Sequence, residues 1–384
     1  MIRIIGDLIL DKWYEGKYEK ISPEAPVKIL EKDNSTMNLG GAANLSANLK
    51  NLNCKVKLYG SVADDNNGKK IKQLLKKNKI NNFISENLNI TTTKTRIVNK
   101  NGTHLLRIDE EKYKIDLIPE KKILNEINKK DIVVISDYCK GVIGKKTVQK
   151  IIKKNNVVFV DPKNDSKIYS NSFLVKPNMK QLKEWIGKFN KKKSFKLLKK
   201  RNWKWLVVTD GKRGVHIFNY KEEYKKYSHK TGELKDVSGA GDTFLGVLVY
   251  AYEKGLDIFK SSEIACMGAS KIVQKFKVNL IEERDLIFKK VFTNGVFDIL
   301  HKGHKELFKF CDKIGEKLVV GINSDSSVKL SKGKFRPYNN LKTRKYNLKK
   351  FHKINKIITF KEKTPIKIIK KLKPDVVVKG GDYK

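Results

Sequence analysis

Residues 236–242 read Asp236-Val-Ser-Gly-Ala-Gly-Asp242, and they open a helix. A second segment, Thr293-Asn-Gly-Val-Phe-Asp-Ile-Leu-His-Lys-Gly-His304, also opens a helix. A glycine turn at the start of a helix presents unpaired backbone N–H groups and the positive end of the helix dipole to an anion. Both segments therefore predict a polyphosphate site, and two different sites predict two reactions.

Around these segments, short apolar strands alternate with helical stretches, which is typical of a parallel sheet covered by helices. In the first part of the chain the expected strands are 2–5, 56–59, 132–136, 157–161, 173–176 and 206–209, with a glycine-led helix at 39–52. Two β-rich stretches without helices, 14–37 and 91–107, predict a small separate sheet, a flap that closes over a site. The fold class is α/β.

A charged segment, Glu282 to Lys290, interrupts this alternation, and a new strand-turn-helix pattern starts at Val291. We place a boundary near residue 288, which gives the domains 1–288 and 289–384. In the second domain we expect strands at 291–293, 317–322, 357–360 and 375–379, helices at 302–314, 341–351 and 365–372, and a polar loop up to Asn340.

The composition narrows the class of protein. The 384 residues suffice for two or three domains, and no apolar run is long enough for a signal peptide or a membrane span. The four cysteines lack the spacing of a disulfide framework or a zinc site, so we expect a cytoplasmic protein without membrane insertion. The formal net charge of +43 comes almost entirely from lysines spread along the chain, with only eight arginines, so we expect no nucleic-acid partner.

Phosphoryl transfer to an alcohol needs alignment, neutralisation of charge and a base near the attacking hydroxyl. Asp242, just inside the predicted helix, is placed to be that base. The amides of Gly239, Ala240 and Gly241 are placed as an anion hole for the transferred group. The alternative is a helix cap in which the aspartate binds N-terminal amides.

Three separated motifs decide between these alternatives: Gly6-Asp7 with Asp11, Gly40-Gly-Ala-Ala-Asn44, and residues 236–242. Together they resemble the ribokinase-like carbohydrate kinase family over residues 1–280. The resemblance implies ribokinase-like sugar binding by Asp7, Asp11, Gly40, Gly41, Asn44 and Arg107. Lys163, like Arg107, is a weaker candidate for phosphate. A tight turn before a helix is an additional role for the two glycines.

Further motifs point to one branch of that family: Ile21 to Val27, Ser136 to Gly141, and Asp161-Pro-Lys163. They are similar to the heptose-7-phosphate kinase half of the bifunctional heptose kinase/adenylyltransferases. The resemblance implies phosphorylation of an anomeric hydroxyl by ATP with Mg²⁺, without a direct metal motif in the protein. The implied ATP-binding residues are Asn178, Gln181, Thr209 and Gly211. Gln181 replaces the glutamate of the family's Asn-x-x-Glu motif, so we expect a kinase that needs more magnesium.

The second segment, residues 293–304, suits nucleotidyl transfer. In this reaction, hydrogen-bond donors must stabilise the negative charge that develops on the departing pyrophosphate. His301 and His304 flank Gly303, and the alternative of unrelated surface or core histidines is disfavoured by this spacing. Residues 290–384 resemble the adenylyltransferase half of the same family, a Rossmann-like, cytidylyltransferase-like domain. Besides the two catalytic histidines, this implies ATP contacts from Thr293, Asn294, Gly295, Phe297, Gly303 and Arg336. For Arg336 the alternative is an exposed loop charge.

We therefore expect a bifunctional enzyme. Its kinase half converts D-glycero-D-manno-heptose 7-phosphate to the 1,7-bisphosphate, and its second half makes ADP-heptose for lipopolysaccharide core from ATP and heptose 1-phosphate. Members of the family continue past Gly380 to Lys384 into a Ser/Thr-rich segment that contacts triphosphate, so we expect a second domain that lacks this segment and has impaired activity. Two alternatives stay open: a naturally short form, or a fragment of a longer protein. The alternative is a sugar kinase with a vestigial second domain. We also expect a homodimer formed through the small sheet.

Overall fold

The computed structural model describes residues 1–111, 118–228, 236–274, 279–286, 290–314, 317–351, 354–362 and 364–380. They fall into two compact units, Met1–Leu286 and Ile287–Lys384. The boundary expected near residue 288 lies at residues outside the described ranges, as do residues 381–384 of the final motif. Within the described ranges, no helix is long and apolar enough to cross a bilayer.

The first unit contains two sheets. In chain order its strands are β1 (Ile2–Gly6), β2 (Leu8–Lys17), β3 (Glu31–Gly41), β4 (Val56–Ser61), β5 (Asn81–Ser85), β6 (Thr93–Asn99), β7 (His104–Glu110), β8 (Ile132–Ser136), β9 (Val158–Asp161), β10 (Leu174–Val175), β11 (Trp205–Thr209), β12 (Val215–Asn219) and β13 (Tyr224–Tyr227). Among the described residues the main sheet has the order β13-β12-β11-β10-β9-β8-β1-β4-β5. The strands from β11 to β5 are parallel, and β12 and β13 add an antiparallel edge.

The flap is the second sheet, with the order β3-β2-β6-β7. Its central strands β2 and β6 are parallel, and each pairs with its hairpin partner in antiparallel fashion. The register sets Lys94 of β6 opposite Asp11 of β2 and Asp109 of β7. Because opposite residues of neighbouring strands point to the same face, these three side chains share one face of the flap.

Eight α-helices occur among the described residues of the first unit: α1 (Ala42–Asn51), α2 (Asn66–Lys77), α3 (Glu120–Glu126), α4 (Lys145–Lys154), α5 (Met179–Ile186), α6 (Lys191–Lys200), α7 (Ala240–Glu253) and α8 (Ile258–Ile272). A core between strands and helices includes Ile135, Val160 and Leu206 of the sheet and Leu182 and Leu198 of α5 and α6. These buried residues are the apolar runs of the sequence. Their burial fixes the sheet, so that the loops after its parallel strands meet at one edge.

The second unit is a smaller parallel sheet with helices. Its strands are β14 (Lys290–Gly295), β15 (Lys317–Asn323), β16 (Ile354–Phe360) and β17 (Val376–Val378), and its helices are α9 (Lys302–Ile314), α10 (Asp325–Lys332), α11 (Leu341–Lys349) and α12 (Ile366–Leu372). The described strands have the order β16-β15-β14-β17. Its core includes Val291, Val320, Phe308 and Leu348.

The polar loop expected up to Asn340 is wrong for residues 325–332, which form α10. The side chain of Ser324 accepts a hydrogen bond from the backbone N–H of Ser327 and so caps this helix. Val328 is fully buried. One apolar anchor and one cap stabilise a helix whose sequence otherwise consists mostly of serine, lysine and aspartate.

Candidate functional sites

The carboxylate of Asp242 lies at the start of α7, where the chain turns through Gly239 in the left-handed region with φ 75°. Asn44 Nδ2 donates to Asp242 Oδ2 at 3.1 Å, and the Tyr138 hydroxyl donates to Asp242 Oδ1 at 2.7 Å. The side chain is buried. Two donors from distant parts of the chain therefore fix one carboxylate at the start of the helix that follows Gly239. In the same turn the Ala240 N–H donates to the backbone oxygen of Val237 at 3.3 Å.

Burial raises the pKa of Asp242 to about 6. The hydrogen bonds from Tyr138 and Asn44 and the positive charge of Lys176 lower the pKa of Asp242. The negative charge of nearby Asp161 raises it further. Lys176 Nζ pairs with Asp161 Oδ2 at 3.0 Å, and both residues are buried. A Cβ on Gly241 would lie 3.9 Å from Lys176 Nζ, so this ammonium group stands next to the predicted anion hole. The site combines a carboxylate that is ionised at neutral pH with a buried ammonium group.

A cavity of about 200 Å³ adjoins this helix start. The end of β11, the start of α7 and one side of α8 line it, through Thr209, Gly211, Ala240, Gly241, Phe244 and Ala269 among others. Thr209 and Gly211 also line a neighbouring open cleft together with Asn178. A partly apolar cavity that ends at helix-start amides fits a nucleotide, with its base in the cavity and its phosphates at the amides.

Gln181, unlike the other predicted ATP-binding residues, uses both ends of its side-chain amide to bind backbone groups. Its Oε1 accepts the backbone N–H of Asn178 at 2.7 Å, which completes a capping box at the start of α5. Its Nε2 donates to the backbone oxygen of Pro162 at 2.7 Å. The amide thus stabilises the turn that follows Asp161, and a glutamate there has no proton to donate to Pro162 when ionised.

The predicted sugar side is organised by glycines. Asp11 is buried and pairs with Arg96 at 2.5 Å. A Cβ on Gly40 would lie 2.4 Å from Asp11 Oδ2, so only glycine leaves room for this carboxylate. Gly41 has φ 58°, and a Cβ there would lie 2.5 Å from the backbone oxygen of Asp7. The Gly-Gly pair therefore permits the close approach of β3 to the strand that carries Asp11.

Asp7 and Asn44 support their neighbours. Asp7 is buried, and its carboxylate accepts the backbone N–H groups of Tyr138, Lys140 and Val142 at 2.6, 3.3 and 3.3 Å. Burial is the main cause, and the negative charge of Asp137 the second, that raises the pKa of Asp7 to about 6 although three N–H groups donate to its carboxylate. Asp7 thus holds the loop that presents Tyr138. A direct sugar contact by Asp7 or Asn44 stays a prediction.

The two weaker phosphate candidates differ in position. The Arg107 side chain on β7 is 58% exposed and pairs with Asp109 at 2.9 Å. Lys163 Nζ lies 5.3 Å from the centre of the Tyr138 ring, and Lys94 Nζ lies 5.5 Å from the same point. Tyr138, Lys94 and Lys176 were missed as site residues. The only signal was that Tyr138 belongs to a quoted motif and that Lys176 precedes the Pro-Asn pair before α5.

In the second unit, the two predicted catalytic histidines stack at the start of α9, with ring centres 3.9 Å apart. His301 Nδ1 accepts the backbone N–H of Gly303 at 3.2 Å, and His304 Nδ1 accepts the backbone N–H of His301 at 3.4 Å. A neutral imidazole that accepts at Nδ1 carries its proton on Nε2. A Cβ on Gly303 would lie 3.0 Å from His301 Cε1, so glycine allows the His301 ring to fold over the helix start.

Four other predicted nucleotide residues, Thr293, Asn294, Gly295 and Phe297, lie at the end of β14 and in the turn after it. Phe297 is buried with φ 51°, a left-handed conformation that is rare for an aromatic residue, and its ring contacts His304 with centres 5.2 Å apart. Gly295 lies against the Phe297 ring. Thr293 is fully buried, and Asn294 Oδ1 accepts from Lys379 Nζ at 2.9 Å. Phe297 therefore acts on the site from within the core.

Two arginines contact the loop that precedes α11. Arg336 is 40% exposed, lies over the Tyr338 ring at 3.7 Å and approaches Asp298 at 3.4 Å. Arg344 is fully buried and donates to three backbone oxygens, of Val296, Asn323 and Asn339, at 2.6, 2.8 and 3.0 Å, and to Asp325 Oδ1 at 2.7 Å. Arg344 thus joins the ends of β14 and β15 to the loop before α11.

The fold and these sites define a carbohydrate kinase joined to a nucleotidyltransferase unit. The pfkB family carbohydrate kinase profile matches residues 4–284, and the cytidylyltransferase-like profile matches residues 292–384. The whole chain is 35% identical to the bifunctional protein HldE of Nitratiruptor sp., of which it covers 92%, and 36% identical to that of Campylobacter jejuni, of which it covers 90%. The chain belongs to the HldE family of bifunctional proteins.

Solved structures support the fold of the first unit. Phosphofructokinase-2 from Escherichia coli matches with a TM-score of 0.63 at 16% identity, and ribokinase from Arabidopsis thaliana with 0.59 at 17%. Each match covers 74% of this chain, and 96% and 97% of the solved chain. The predicted family, fold class and order of a kinase followed by a nucleotidyltransferase are confirmed. The full-length relatives favour two activities over a kinase alone.

Proposed function

We propose that the first unit phosphorylates the anomeric hydroxyl of D-glycero-D-manno-heptose 7-phosphate with ATP. The second unit transfers the adenylyl group of ATP to heptose 1-phosphate, which gives ADP-heptose for lipopolysaccharide core and releases pyrophosphate. One observation carries the proposal: the buried Asp242 carboxylate stands at a helix start, next to a cavity of about 200 Å³ that suits the base of a nucleotide. Membership of the HldE family supports both halves.

In the kinase step, the hydroxyl oxygen of the sugar attacks the γ-phosphorus of ATP, and Asp242 accepts the proton of that hydroxyl. The bond from that phosphorus to the bridging oxygen breaks, and ADP leaves. Amides of Gly239, Ala240 and Gly241 stabilise charge on the transferred group, and Lys176 adds a buried positive charge beside them. The hydrogen bond from Tyr138 holds the carboxylate in position and favours its ionised form.

Magnesium belongs to the proposed kinase reaction, and the acidic groups of the site fit it. Among the residues that the structure describes, no three His, Cys, Asp or Glu side chains form a metal cluster. Mg²⁺ is commonly held by one or two carboxylates together with substrate phosphates and water. Asp161, whose charge acts on Asp242, is the carboxylate that would hold it. Bound there, the ion would neutralise charge on the nucleotide phosphates.

In the adenylyl step, a phosphate oxygen of heptose 1-phosphate attacks the α-phosphorus of ATP, and pyrophosphate departs. His301 and His304 would donate from Nε2 to the departing oxygens, since their Nδ1 atoms accept backbone N–H groups. Thr293, Asn294 and Gly295 form the strand end beneath the nucleotide. Arg336, partly exposed on the loop before α11, would contact phosphate.

Cellular location and assembly are part of the proposal. All four cysteines are free thiols, which supports a reducing cytoplasm. Apolar side chains on the flap, Leu106 and Ile108, are 55% and 45% exposed, which supports a homodimer formed through this sheet. Light scattering of the purified protein tests the assembly: a dimer mass is expected, and a monomer at micromolar concentration contradicts it.

Formation of ADP-heptose separates the proposal from the kinase-only alternative. The purified protein is incubated with ATP and heptose 1-phosphate, and ADP-heptose and pyrophosphate are measured. We expect both products in equal amounts, and we expect His304→Ala to remove them while sugar-dependent ADP release persists. An active kinase that forms no ADP-heptose would establish the alternative.

A further inference from the structure

The last residues of the first unit pack against its helices, away from the sheet edge. Residues 279–286, which we call the strap, come after α8 in the chain. The side chains of Ile281 and Leu286 are buried. The Tyr250 hydroxyl of α7 donates to Glu283 Oε1 at 2.9 Å. The strap is therefore fixed to the helix that begins at the proposed base.

A chain of buried hydrogen bonds runs from the strap through α1 to that base. The backbone N–H of Ile281 donates to Asn48 Oδ1 at 3.0 Å. Asn48 Nδ2 donates to the backbone oxygen of Asn44 at 2.9 Å and to Asn44 Oδ1 at 3.0 Å. Asn44 Nδ2 in turn donates to Asp242 Oδ2 at 3.1 Å. Two side-chain amides thus connect a backbone group of the strap to the carboxylate.

Backbone groups fix the direction of this chain. A backbone N–H only donates and a backbone oxygen only accepts, so Ile281 takes the oxygen end of the Asn48 amide and the Asn44 backbone takes its nitrogen end. The Asn44 side chain then turns its oxygen to Asn48 and its nitrogen to Asp242. An Asn44 amide rotated by half a turn would present an oxygen to the carboxylate, which is repulsive.

The two amides occupy a buried face of α1. Asn44 and Asn48 are four residues apart, so they lie on one face of the helix, and they are 1% and 0% exposed. Such a face is usually apolar, because a buried amide costs free energy unless it is hydrogen-bonded. Packing alone does not explain two amides there, whereas the chain of hydrogen bonds does.

We propose that Asn48 is a positioning residue of the kinase reaction: bound to the strap, it holds the Asn44 amide with its nitrogen toward Asp242. This rests on the proposed function of the first unit, in which Asp242 is the base. Asn48 lies one helical turn from Asn44 and acts through it.

The surroundings of the base give the sign of the expected effect. The polar and charged groups that act on Asp242 are Tyr138, Asn44, Asp161 and Lys176. Of these, Asn44 is the one that Asn48 binds. Loss of Asn48 frees the Asn44 amide to rotate and weakens one donor to the ionised carboxylate. The base then holds its proton more tightly, so its pKa rises.

The pH profile of the kinase tests the inference. In Asn48→Ala we expect the acidic limb of sugar-dependent ADP release to move upward by about half a unit. Turnover should fall about twofold near pH 6 and recover at pH 8. Asn48→Ser is a milder second variant, because a serine hydroxyl can still bond to the backbone oxygen of Asn44. It should move the limb in the same direction, which keeps the test valid should the alanine variant fold poorly.

Asn51→Ala is the matched control. Asn51 Nδ2 donates to the backbone oxygen of Ile281 at 2.7 Å, so this variant also removes a hydrogen bond between α1 and the strap. It leaves the link from Asn48 to Asn44 intact and should keep the wild-type limb. A limb that stays in place in both Asn48 variants, or that moves equally in Asn51→Ala, overturns the inference.

A titration without turnover separates this inference from the proposed function. The pKa of the Asp242 carboxyl is followed by carbon NMR in the full chain, with Asp242→Asn identifying its signal. The pKa should rise in Asn48→Ala and not in Asn51→Ala, and in an Asn44→Ala chain Asn48→Ala should add no further rise. A further rise there contradicts action through Asn44. Wild-type protein without sugar-dependent ADP release refutes the proposed function alone, because the titration still judges Asn48.

Discussion

At the scale of single residues, the kinase site depends on a conflict between burial and charge at Asp242. Burial raises its pKa to about 6, yet a general base must be ionised to accept a proton. Tyr138 and Asn44 each donate a hydrogen bond to the carboxylate, and Lys176 contributes a positive charge. These groups keep the base ionised near neutral pH, close to the pH at which it works.

Replacing Tyr138 by phenylalanine should shift the acidic limb of the kinase pH profile upward. In the wild type, the hydrogen bond from Tyr138 stabilises the ionised carboxylate. Without it, the pKa of Asp242 should rise above 6, by about one unit. Turnover should then fall between pH 6 and 7 and recover at pH 8 and above. Turnover rates are measured from pH 5 to 9, with Tyr220→Phe, at an exposed tyrosine, as the control. An acidic limb that stays in place or moves downward contradicts this role.

Gly303→Ala should damage only the second activity. The added Cβ would lie 3.0 Å from His301 Cε1 and 3.1 Å from His301 Nδ1, so the ring must move away from its position over α9. ADP-heptose formation should fall about ten- to a hundredfold, since small misplacements of catalytic groups have large effects on rate. Sugar-dependent ADP release by the same preparation is the internal control. Wild-type ADP-heptose formation would show that the His301 ring position is irrelevant.

The sequence predicted chemical roles for Asp242 and the two histidines because each belongs to a motif of its own, and these roles stay predictions. It did not identify Tyr138, which lies 104 residues before Asp242 and becomes its partner only through the tertiary fold. Lys176 was hidden for another reason: in a chain with so many lysines, nothing in the sequence distinguishes a buried one. Its burial follows from the position of β10 inside the sheet.

At the scale of elements, a substitution at the start of α5 can test whether Gln181 makes the kinase need more magnesium. Gln181→Glu adds a negative charge close to Asp161 and removes the hydrogen bond from Nε2 to Pro162. Kinase activity of the variant should saturate at lower free Mg²⁺, and its melting temperature should fall by a few degrees. ADP release is measured against free Mg²⁺ at saturating ATP. Gln149→Glu, at an exposed position of α4, supplies the same charge change elsewhere. An unchanged magnesium dependence contradicts the expectation.

Elements were predicted well where apolar residues decide them. The strand 132–136 and the helix 302–314 have the expected bounds, because each apolar pattern is limited by polar turns. The helix α10 was missed, since it is anchored mainly by Val328 and capped by Ser324. The antiparallel edge formed by β12 and β13 was also not foreseen, because strand direction depends on turns and long-range pairing.

At the scale of the whole molecule, the chain combines two units, each with its own main sheet and its own helix start for which we propose phosphate binding. The two motifs predicted two units, and the prediction of the family rested on further separated motifs, among them Gly40 to Asn44 and Asp161 to Lys163. The net charge of +43 was a poorer guide, because charge spread over many lysines gives a field but no defined contact. Only the structure distinguishes paired lysines, such as Lys100, from Lys94 and Lys163 beside the site.

The central claim is that Asp242 is the base of a sugar kinase, and Asp242→Asn tests it most directly. The substitution keeps the shape of the side chain and removes its ability to accept a proton. We predict that ADP release dependent on heptose 7-phosphate falls by about 10² to 10⁴, while ADP-heptose formation by the second unit continues at the wild-type rate. Sugar-dependent ADP release at the wild-type rate in this variant would contradict the account.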